Sequence, residues 1–343
     1  MDKTRLALVG AGVIGKRHLA AMAQVPDVDL VGIADPNPAS RDEGEKLGVP
    51  FFTDAHDLLA TCRPDGVIVA TPTEHHLAPT LAALDMGTHV LVEKPIMATL
   101  EECEQTIAKA KLVDRHVLVG HHRRHYQLVN QARTLIKDGQ LGQLVGVVGQ
   151  WNVRKHQDYY GPDWRKKWQA GPILTNLIHD MDLLRYIAGD IDSISAETSN
   201  TVLGFEKEDT AALVMRFKNG ALGSFLLSDQ SHSPWSWEQA TGENTAFPRT
   251  GQNAVRFMGT EGSLEFPNLK LWMSNATAEW RTPLTVTDLS ENLEDAFVNQ
   301  ITHFANVIHG AETPCISAQD ATDTLKATLA VYEAAQSGQR VML

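Results

Sequence analysis

Three short stretches of the sequence carry residue types that can take part in chemistry. Lys94 lies in a Glu-Lys-Pro triplet, His179 lies in the run Leu-Ile-His-Asp-Met-Asp, and residues 10–15 read Gly-Ala-Gly-Val-Ile-Gly. A histidine can exchange a proton near neutral pH, a lysine ammonium can stabilise a developing oxyanion, and a glycine turn before a helix can bind phosphate. The three stretches therefore indicate proton transfer on a substrate beside a phosphate-bearing ligand.

The glycine spacing follows an apolar run and precedes a helical pattern. In such a turn Gly10 permits the tight bend, Gly12 lets the backbone approach a pyrophosphate, and Gly15 lets the helix pack on the strand. Asp35 ends the second apolar run, where its carboxylate can accept both ribose hydroxyls. The same carboxylate would repel a 2′-phosphate, so the pattern favours NAD over NADP, although Arg41 is a nearby cation that would suit NADP.

The elements that position these residues alternate between strand and helix in the first third of the chain. Apolar runs typical of strands occupy residues 6–9, 30–34, 66–70, 89–92 and 116–120. Helical patterns occupy residues 14–24, a stretch from Pro38 to just before Gly48, and a stretch from the cap Thr73 to near Gly87. Thr73 is a candidate helix cap, and Thr99 opens a capping box before a further helix. Nearly continuous apolar strands are typical of a parallel sheet buried on both faces. We therefore predict an α/β Rossmann domain, a doubly wound parallel sheet over residues 1–122, with Lys94 at its carboxyl edge.

Beyond residue 122 the pattern changes to longer strands with polar insertions. A helix is predicted at 127–137, strands at 144–153, 193–200, 210–217, 222–228, 253–258 and 263–266, and helices near 294–309 and at 318–337. Turn sequences such as Lys-Asn-Gly separate the strands, as expected for an antiparallel meander with one face exposed to solvent. Residues 123–343 are therefore predicted to form an α+β domain with a large, mainly antiparallel sheet. The cleft between the two domains is the expected active site.

Composition argues against several classes of protein. The chain has 343 residues, with 42 acidic and 30 basic side chains and a formal net charge of −12. Nucleic-acid binding needs clustered cations, so the acidic balance argues against it. No apolar stretch approaches the roughly 20 residues that span a membrane, and no signal-peptide pattern opens the sequence. Three cysteines without CxxC spacing are typical of reduced thiols, so we expect a cytoplasmic protein.

These motifs together resemble the Gfo/Idh/MocA family of oxidoreductases over the whole chain. The resemblance is carried by Gly10 to Gly15, Asp35, Thr71-Pro72-Thr73 with His76, and Glu93-Lys94-Pro95. It implies an NAD cofactor bound by Gly10, Gly12, Val13, Ile14, Gly15, Asp35, Glu93 and Lys94, with Thr71, Pro72, Thr73 and His76 flanking the nicotinamide ribose. It also implies that Lys94 contacts cofactor and substrate hydroxyl, and that the protein is a homodimer or homotetramer that pairs through an open sheet face.

The second-domain half of the family's site matches residues 177–182, which look most like the inositol dehydrogenase form of the motif. Read as a helix, this part of the chain places four polar side chains on one face: Thr175, Asn176, His179 and Asp182. By resemblance, His179 takes the substrate hydroxyl proton while hydride leaves the same carbon for nicotinamide C4. Many relatives have an aspartate four residues before this histidine, where this chain has Thr175. That difference leaves the exact substrate open.

Basic and aromatic residues complete the predicted substrate site. The run His-His-Arg-Arg-His at 121–125 crosses the domain junction. By resemblance one of its arginines contacts the substrate, and Arg124 is preferred over Arg123. Adjacent histidines diverge and do not converge on a tetrahedral zinc ion, so no metal site is predicted. Aromatic side chains lie in loop-like stretches near the expected cleft, and Tyr160 and Trp164 are predicted to face a ring-shaped substrate.

The function implied by the resemblance is an NAD(P)-dependent dehydrogenase that acts on a CH–OH group of a sugar, cyclitol or related polyol. The alternatives are an imine or ketone reductase or a dihydrodiol dehydrogenase with the same residues, a glycosidase in which NAD oxidises the sugar transiently, and a non-catalytic NAD-binding regulator. A regulator has no need of a lysine–histidine pair. The presence of both Lys94 and His179 therefore favours an enzyme with these two as its catalytic residues.

Overall fold

The computed structural model describes residues 3–274, 277, 279–290 and 292–343. They fall into two compact units. The first unit comprises the described residues up to His125 together with Asp295–Leu325, and the second comprises Tyr126–Glu294 together with Lys326–Leu343. The predicted single boundary after residue 122 lies near the point where the chain first leaves the first unit, but it does not include the later return at Asp295.

The first unit is built on one parallel sheet. Its strands are β1 (Thr4–Val9), β2 (Val28–Ala34), β3 (Phe51–Phe52), β4 (Gly66–Val69), β5 (His89–Val92) and β6 (Val117–Val119). The helices between them are α1 (Val13–Met22), α2 (Arg41–Leu47), α3 (Ala55–Cys62), α4 (Leu77–Asp85) and α5 (Leu100–Val113). The strand order β3-β2-β1-β4-β5-β6, with every pair parallel, confirms the predicted doubly wound Rossmann sheet.

Local sequence explains some of the helix ends in this unit. The hydroxyl of Thr99 accepts the backbone N–H of Glu102 at 3.2 Å, which confirms the predicted cap of α5. The predicted cap at Thr73 is wrong, because a 3₁₀ turn, Thr73–His75, precedes α4 and no side chain caps that helix. β3 and α3 were not predicted, since β3 has only two residues and neither has a long apolar period.

The second unit is built on a nine-stranded sheet. Its strands are β7 (Leu144–Asn152), β8 (Ile191–Ser199), β9 (Thr210–Phe217), β10 (Leu222–Ser228), β11 (Val255–Gly259), β12 (Gly262–Phe266), β13 (Lys270–Met273), β14 (Thr285–Asp288) and β15 (Val341–Met342). Its helices include α6 (Gln127–Lys137), α7 (Ile178–Ala188) and α8 (Trp237–Thr241). The strand order is β14-β13-β12-β11-β7-β10-β9-β8-β15.

This sheet is mainly antiparallel, as predicted, but it is not a simple meander. β7 runs parallel to β10 and lies between β10 and β11, so strands distant in sequence are neighbours. Along β9 the side chains alternate between buried and exposed, which leaves one face of the sheet open to solvent.

Two helices lie near the end of the chain, α9 (Ala296–Ile308) and α10 (Ala318–Ser337), as predicted, and β15 follows them. α9 belongs to the first unit, where Ile301, Phe304 and Val307 are fully buried in one cluster with Leu6 and Leu8 of β1. Within the described ranges, no helix combines the length and apolar character needed to cross a membrane.

Candidate functional site

The glycine loop between β1 and α1 contains two glycines that the fold requires and one that it does not. Gly10 has a φ of +92°, and a Cβ there would lie 2.7 Å from the carbonyl carbon of Ala70. A Cβ on Gly15 would lie 2.0 Å from the carbonyl oxygen of Gly10, whereas a Cβ on Gly12 would meet no described atom within 4 Å. Packing therefore explains the outer glycines, and the middle glycine fits close approach by a ligand's phosphates.

The start of α1 offers backbone donors to such a ligand. α1 begins directly after Gly12, and no side chain caps its first N–H groups. Val13 is 87% exposed and Ile14 is partly exposed, so the approach to these groups is open. The helix dipole favours an anion at this end, and the site fits the pyrophosphate of a dinucleotide.

Asp35 lies beside this loop at the end of β2. Its two carboxylate oxygens accept the backbone N–H groups of Ala11 at 2.7 Å and Asn37 at 2.8 Å, which fix the carboxylate at the sheet edge. The guanidinium of Arg41 lies over the ring of Phe51, with its carbon 5.2 Å from the centroid. An anchored carboxylate at this position fits the ribose hydroxyls of NAD.

The segment Thr71-Pro72-Thr73 follows β4 at the same edge, and His76 supports it. The buried His76 ring lies between two backbone carbonyl oxygens, with Nε2 3.0 Å from Thr71 and Nδ1 3.1 Å from Ile96. Burial lowers the pKa of His76, and the hydrogen bonds to the two carbonyls oppose that effect. We therefore expect His76 to act through the two loops that it joins.

Lys94 follows β5, and its peptide bond to Pro95 is cis. The preceding carboxylate, Glu93, is buried: its Oε1 lies 2.7 Å from His18 Nε2 on α1, and its Oε2 accepts the backbone N–H of Lys94 at 3.1 Å. Burial acts to raise the pKa of Glu93, but the hydrogen bond and charge of His18, together with Lys94 and His122, lower it to about 2. An ionised Glu93 therefore connects the phosphate-binding helix to the backbone of Lys94.

Phe297 on α9 packs against this buried pair. The ring of His18 meets Phe297 edge-on at a centroid distance of 5.3 Å, and His122 stacks on Phe297 at 4.5 Å. Arg17 lies 4.6 Å above the same ring and donates to Asp295 at 2.5 Å. The segment that returns from the second unit thus supports the Glu93–Lys94 turn.

The predicted arginines lie in a 3₁₀ turn, His122–His125, that follows β6. Both Arg123 and Arg124 are buried. Arg124 Nη1 donates to Asp320 Oδ2 at 2.5 Å and to the carbonyl oxygen of Cys315 at 3.2 Å. Arg124 therefore also anchors the start of α10, and the role of the two arginines toward a substrate stays a prediction.

In the second unit, the predicted histidine follows an irregular helical turn. Residues Ile173–Leu177 form a π-helical turn that runs directly into α7, where the sequence predicted an ordinary helix. His179 and Thr175 are partly exposed, and Asp182 is buried. Single π turns inside helices occur frequently at functional sites, since they displace side chains from the regular spacing.

The side-chain oxygen of Asn176 in this turn contacts Thr175 and a residue that was not predicted, Lys155. Thr175 Oγ1 lies 3.0 Å from both the Gly171 carbonyl oxygen and Asn176 Oδ1. Lys155, which comes shortly after β7, donates from Nζ to the same Asn176 oxygen at 3.1 Å. The structure thus adds a cation to the predicted substrate residues of this unit.

A buried ionic cluster holds Lys155 in place. Asp229 Oδ2 lies 3.6 Å from Lys155 Nζ and 2.6 Å from the fully buried Lys207 Nζ. Burial lowers the pKa of Lys155, and Asp229 opposes this effect. Such a pair is costly to break, because removal of one partner leaves an uncompensated buried charge.

Glu208 holds the start of the π turn. Its Oε1 accepts the backbone N–H of Ile173 at 2.9 Å and the hydroxyl of Tyr332 at 3.1 Å. Burial raises the pKa of Glu208, and these donors partly offset that effect. A Cβ on Gly171 would lie 2.3 Å from the Glu208 carboxylate oxygens, so a larger residue at this position would displace that carboxylate.

The two predicted aromatic residues lie in different surroundings. Tyr160 is buried, its hydroxyl accepts from Gln230 Nε2 at 2.8 Å, and its ring meets Phe205 edge-on at 5.5 Å. Trp164 is 60% exposed and lies 5.2 Å from the guanidinium carbon of Arg165. Tyr160 is therefore buried within its unit, while Trp164 is exposed at the surface.

Sequence reasoning missed His18, Lys155 and Glu208. His18 lies one helical turn after Gly15, so a polar residue on the buried face of α1 was the available signal. Lys155 follows the end of a predicted strand, which is a weaker signal, and nothing in the local sequence identifies Glu208.

Two family models match the chain. Residues 4–121 match the Gfo/Idh/MocA model described as an oxidoreductase family with an NAD-binding Rossmann fold. Residues 133–343 match the companion model, described as the C-terminal alpha/beta domain of the same oxidoreductase family. The two matches lie on either side of residues 122–132.

Individual relatives match over almost the whole length. The chain is 24% identical to a myo-inositol 2-dehydrogenase of Thermotoga maritima, over 92% of this chain and 91% of the relative. It is 28% identical to a 1,5-anhydro-D-fructose reductase of Ensifer adhaerens, over 98% and 97%. A solved scyllo-inositol dehydrogenase from Lactobacillus casei, with bound NAD(H) and scyllo-inositol, has 21% identity and a TM-score of 0.79, with 99% of each chain covered. The structural likeness establishes a shared fold.

Proposed function

Because the chain belongs to the Gfo/Idh/MocA family of oxidoreductases, we propose that it is an NAD-dependent dehydrogenase acting on a CH–OH group. The proposed substrate is a sugar, a cyclitol or a related ring-shaped polyol. The observation that carries the proposal is the shared carboxyl edge of one parallel sheet, where the glycine loop follows β1, Asp35 follows β2 and Lys94 follows β5. Open α/β sheets bind their ligands at this edge.

NAD supplies the hydride acceptor, nicotinamide C4. The backbone at Gly12 and the start of α1 would hold its pyrophosphate, and Asp35 would accept from its ribose hydroxyls. The Asp35 carboxylate repels a 2′-phosphate, which favours NAD over NADP. Thr71 and Thr73 would flank the nicotinamide ribose at the same edge.

Lys94 and His179 are the proposed catalytic residues. His179 would accept the substrate hydroxyl proton, and the Lys94 ammonium would stabilise the alkoxide character that develops as hydride leaves. The buried Glu93 fixes the backbone of Lys94, as described above. Arg123, Arg124, Tyr160, Trp164, Thr175 and Asn176 are the proposed substrate-side residues.

The test is formation of NADH, followed by absorbance at 340 nm, on a panel of sugars and inositols. Lys94→Met should lower kcat by about 100-fold or more, because it removes a charge that acts mainly on the transition state. Lys111→Met, an exposed lysine in the last turn of α5, is the matched control and should stay within about twofold of wild type. Turnover of Lys94→Met at the wild-type rate would contradict the assignment.

We also propose that the protein is a homodimer or homotetramer that pairs through the open face of the nine-stranded sheet and works in the cytoplasm. Exposed apolar side chains share one face of β7, β9 and β10: Val148, Val214, Leu222 and Leu226. Large contiguous apolar patches on a protein surface commonly mark association sites. The net charge of −12 argues against nucleic acid as a partner.

A further inference from the structure

Asn176 presents its side-chain amide in one fixed orientation. Its Oδ1 lies 3.1 Å from Lys155 Nζ and 3.0 Å from Thr175 Oγ1. A lysine ammonium donates hydrogen bonds and accepts none, so the amide oxygen must be the atom that faces Lys155. The Asn176 NH2 group therefore points away from Lys155, and no acceptor for it lies among the residues that the structure describes.

Lys155 itself is firmly held. Its Nζ lies 3.6 Å from Asp229 Oδ2, 4.6 Å from the centroid of the Tyr159 ring and 5.7 Å from that of Trp151. The Lys155 side chain is only 11% exposed. An anchored ammonium loses little conformational freedom when a ligand binds, and its charge is weakly screened at a mostly buried position.

The nearby carboxylates have other donors. Asp229 Oδ2 lies 2.6 Å from Lys207 Nζ, closer than it lies to Lys155 Nζ. Glu238 accepts from Trp151 Nε1 at 2.8 Å. One carboxylate oxygen is thus shared by two ammonium groups, and Lys155 keeps capacity to donate to a further anionic oxygen.

We propose that Lys155 and Asn176 form a subsite for a carboxylate carried by the substrate. The substrate of the proposed dehydrogenase is then a sugar acid or cyclitol acid, and this inference rests on the proposed function. The ammonium and the amide NH2 both donate, so their partner must accept twice. A carboxylate does so with two oxygens and adds the opposite charge, whereas a neutral hydroxyl offers a single oxygen and no charge to the ammonium.

Equilibrium binding to the NAD-loaded protein tests this subsite without requiring turnover. The probes are matched sets: glucose, glucuronate and glucose 6-phosphate, and the corresponding galactose series. We expect the uronates to bind about 10- to 100-fold more tightly than the neutral sugars, as charge-assisted hydrogen bonds imply. Lys155→Met should abolish this preference, and Asn176→Asp, which puts a carboxylate beside the subsite, should do the same. Lys167→Met, an exposed lysine paired with Glu206, is the control and should retain it.

Three results would overturn the proposal. They are equal affinity for a uronate and its neutral sugar, a uronate preference that survives in both subsite variants, and tighter binding of the 6-phosphates than of the uronates. The last would assign the subsite to phosphate esters. Failure of the Lys94→Met experiment is a separate result, because it refutes the proposed catalytic role and leaves the measured binding preference unchanged.

Discussion

Replacement of His18 by leucine should strongly destabilise the protein at neutral pH. The substitution places an apolar side chain where the buried imidazole lies. It removes the ring nitrogen that lies 2.7 Å from Glu93 Oε1. Glu93 would then be a buried carboxylate without its strongest partner. Burial acts to raise the pKa of Glu93, and the hydrogen bond and charge of His18 are the main effects that lower it. Without His18 the ionised carboxylate would therefore be much less stable in the folded protein.

The magnitude follows from the pKa of Glu93. In the folded protein it is lowered from 4.5 to about 2, which corresponds to about 3 kcal/mol of folding free energy. Because the folded-state pKa is the lower one, this stabilisation is fully present above about pH 4.5. It is lost as the pH falls from about 4.5 toward 2, when the carboxylate becomes protonated.

Urea unfolding at several pH values between 7 and 3 measures the effect. His18→Leu should be less stable than wild type by about 3 kcal/mol at pH 7, and the difference should shrink below pH 4.5. In a double-mutant cycle, Glu93→Gln in the His18→Leu background should cost much less than in wild type. His56→Leu, an exposed histidine on α3, is the control. A loss below about 1 kcal/mol, or a loss independent of pH, would refute the reasoning.

Two further predictions concern the glycine loop and the open sheet face. Gly12→Ala should leave the free energy of unfolding within about 1 kcal/mol of wild type and raise the calorimetric Kd for NAD about tenfold or more, since its Cβ meets no described atom. Gly15→Ala should instead lower stability by about 2–4 kcal/mol, because its Cβ would lie 2.0 Å from the Gly10 carbonyl oxygen; equal effects of the two variants would contradict this. Val214→Glu, in the exposed apolar face of β9, should reduce the mass measured by light scattering to that of a monomer, and an unchanged mass would count against pairing through this face.

The features that local sequence determines could be predicted. The tight bend at Gly10 and the packing at Gly15 depend on the chain immediately around them, and the Thr99 cap depends on a residue three positions away. The alternation of buried and exposed side chains along β9 arises because one face of the sheet is buried. A strand buried on one face shows in its sequence as a pattern with a period of two residues.

The features that sequence could not predict depend on partners far along the chain. The parallel pairing of β7 with β10 places side by side two strands separated by β8 and β9. His18 and Glu93 are 75 positions apart, and nothing near either residue identifies the other. The π turn before α7 is held by Glu208, whose hydrogen bond to Ile173 likewise arises only in the folded unit.

The return of residues 295–325 to the first unit has a consequence for the order in which the protein can fold. A ribosome synthesises the six parallel strands first, but Ile301 and Phe304, which are buried against β1, emerge only after residues 126–294 of the second unit. A chain cut at the apparent domain boundary near residue 122 would leave the surface that α9 covers open to water. The nucleotide-binding half is therefore begun first but cannot be completed until residues 126–294 of the other unit have been synthesised.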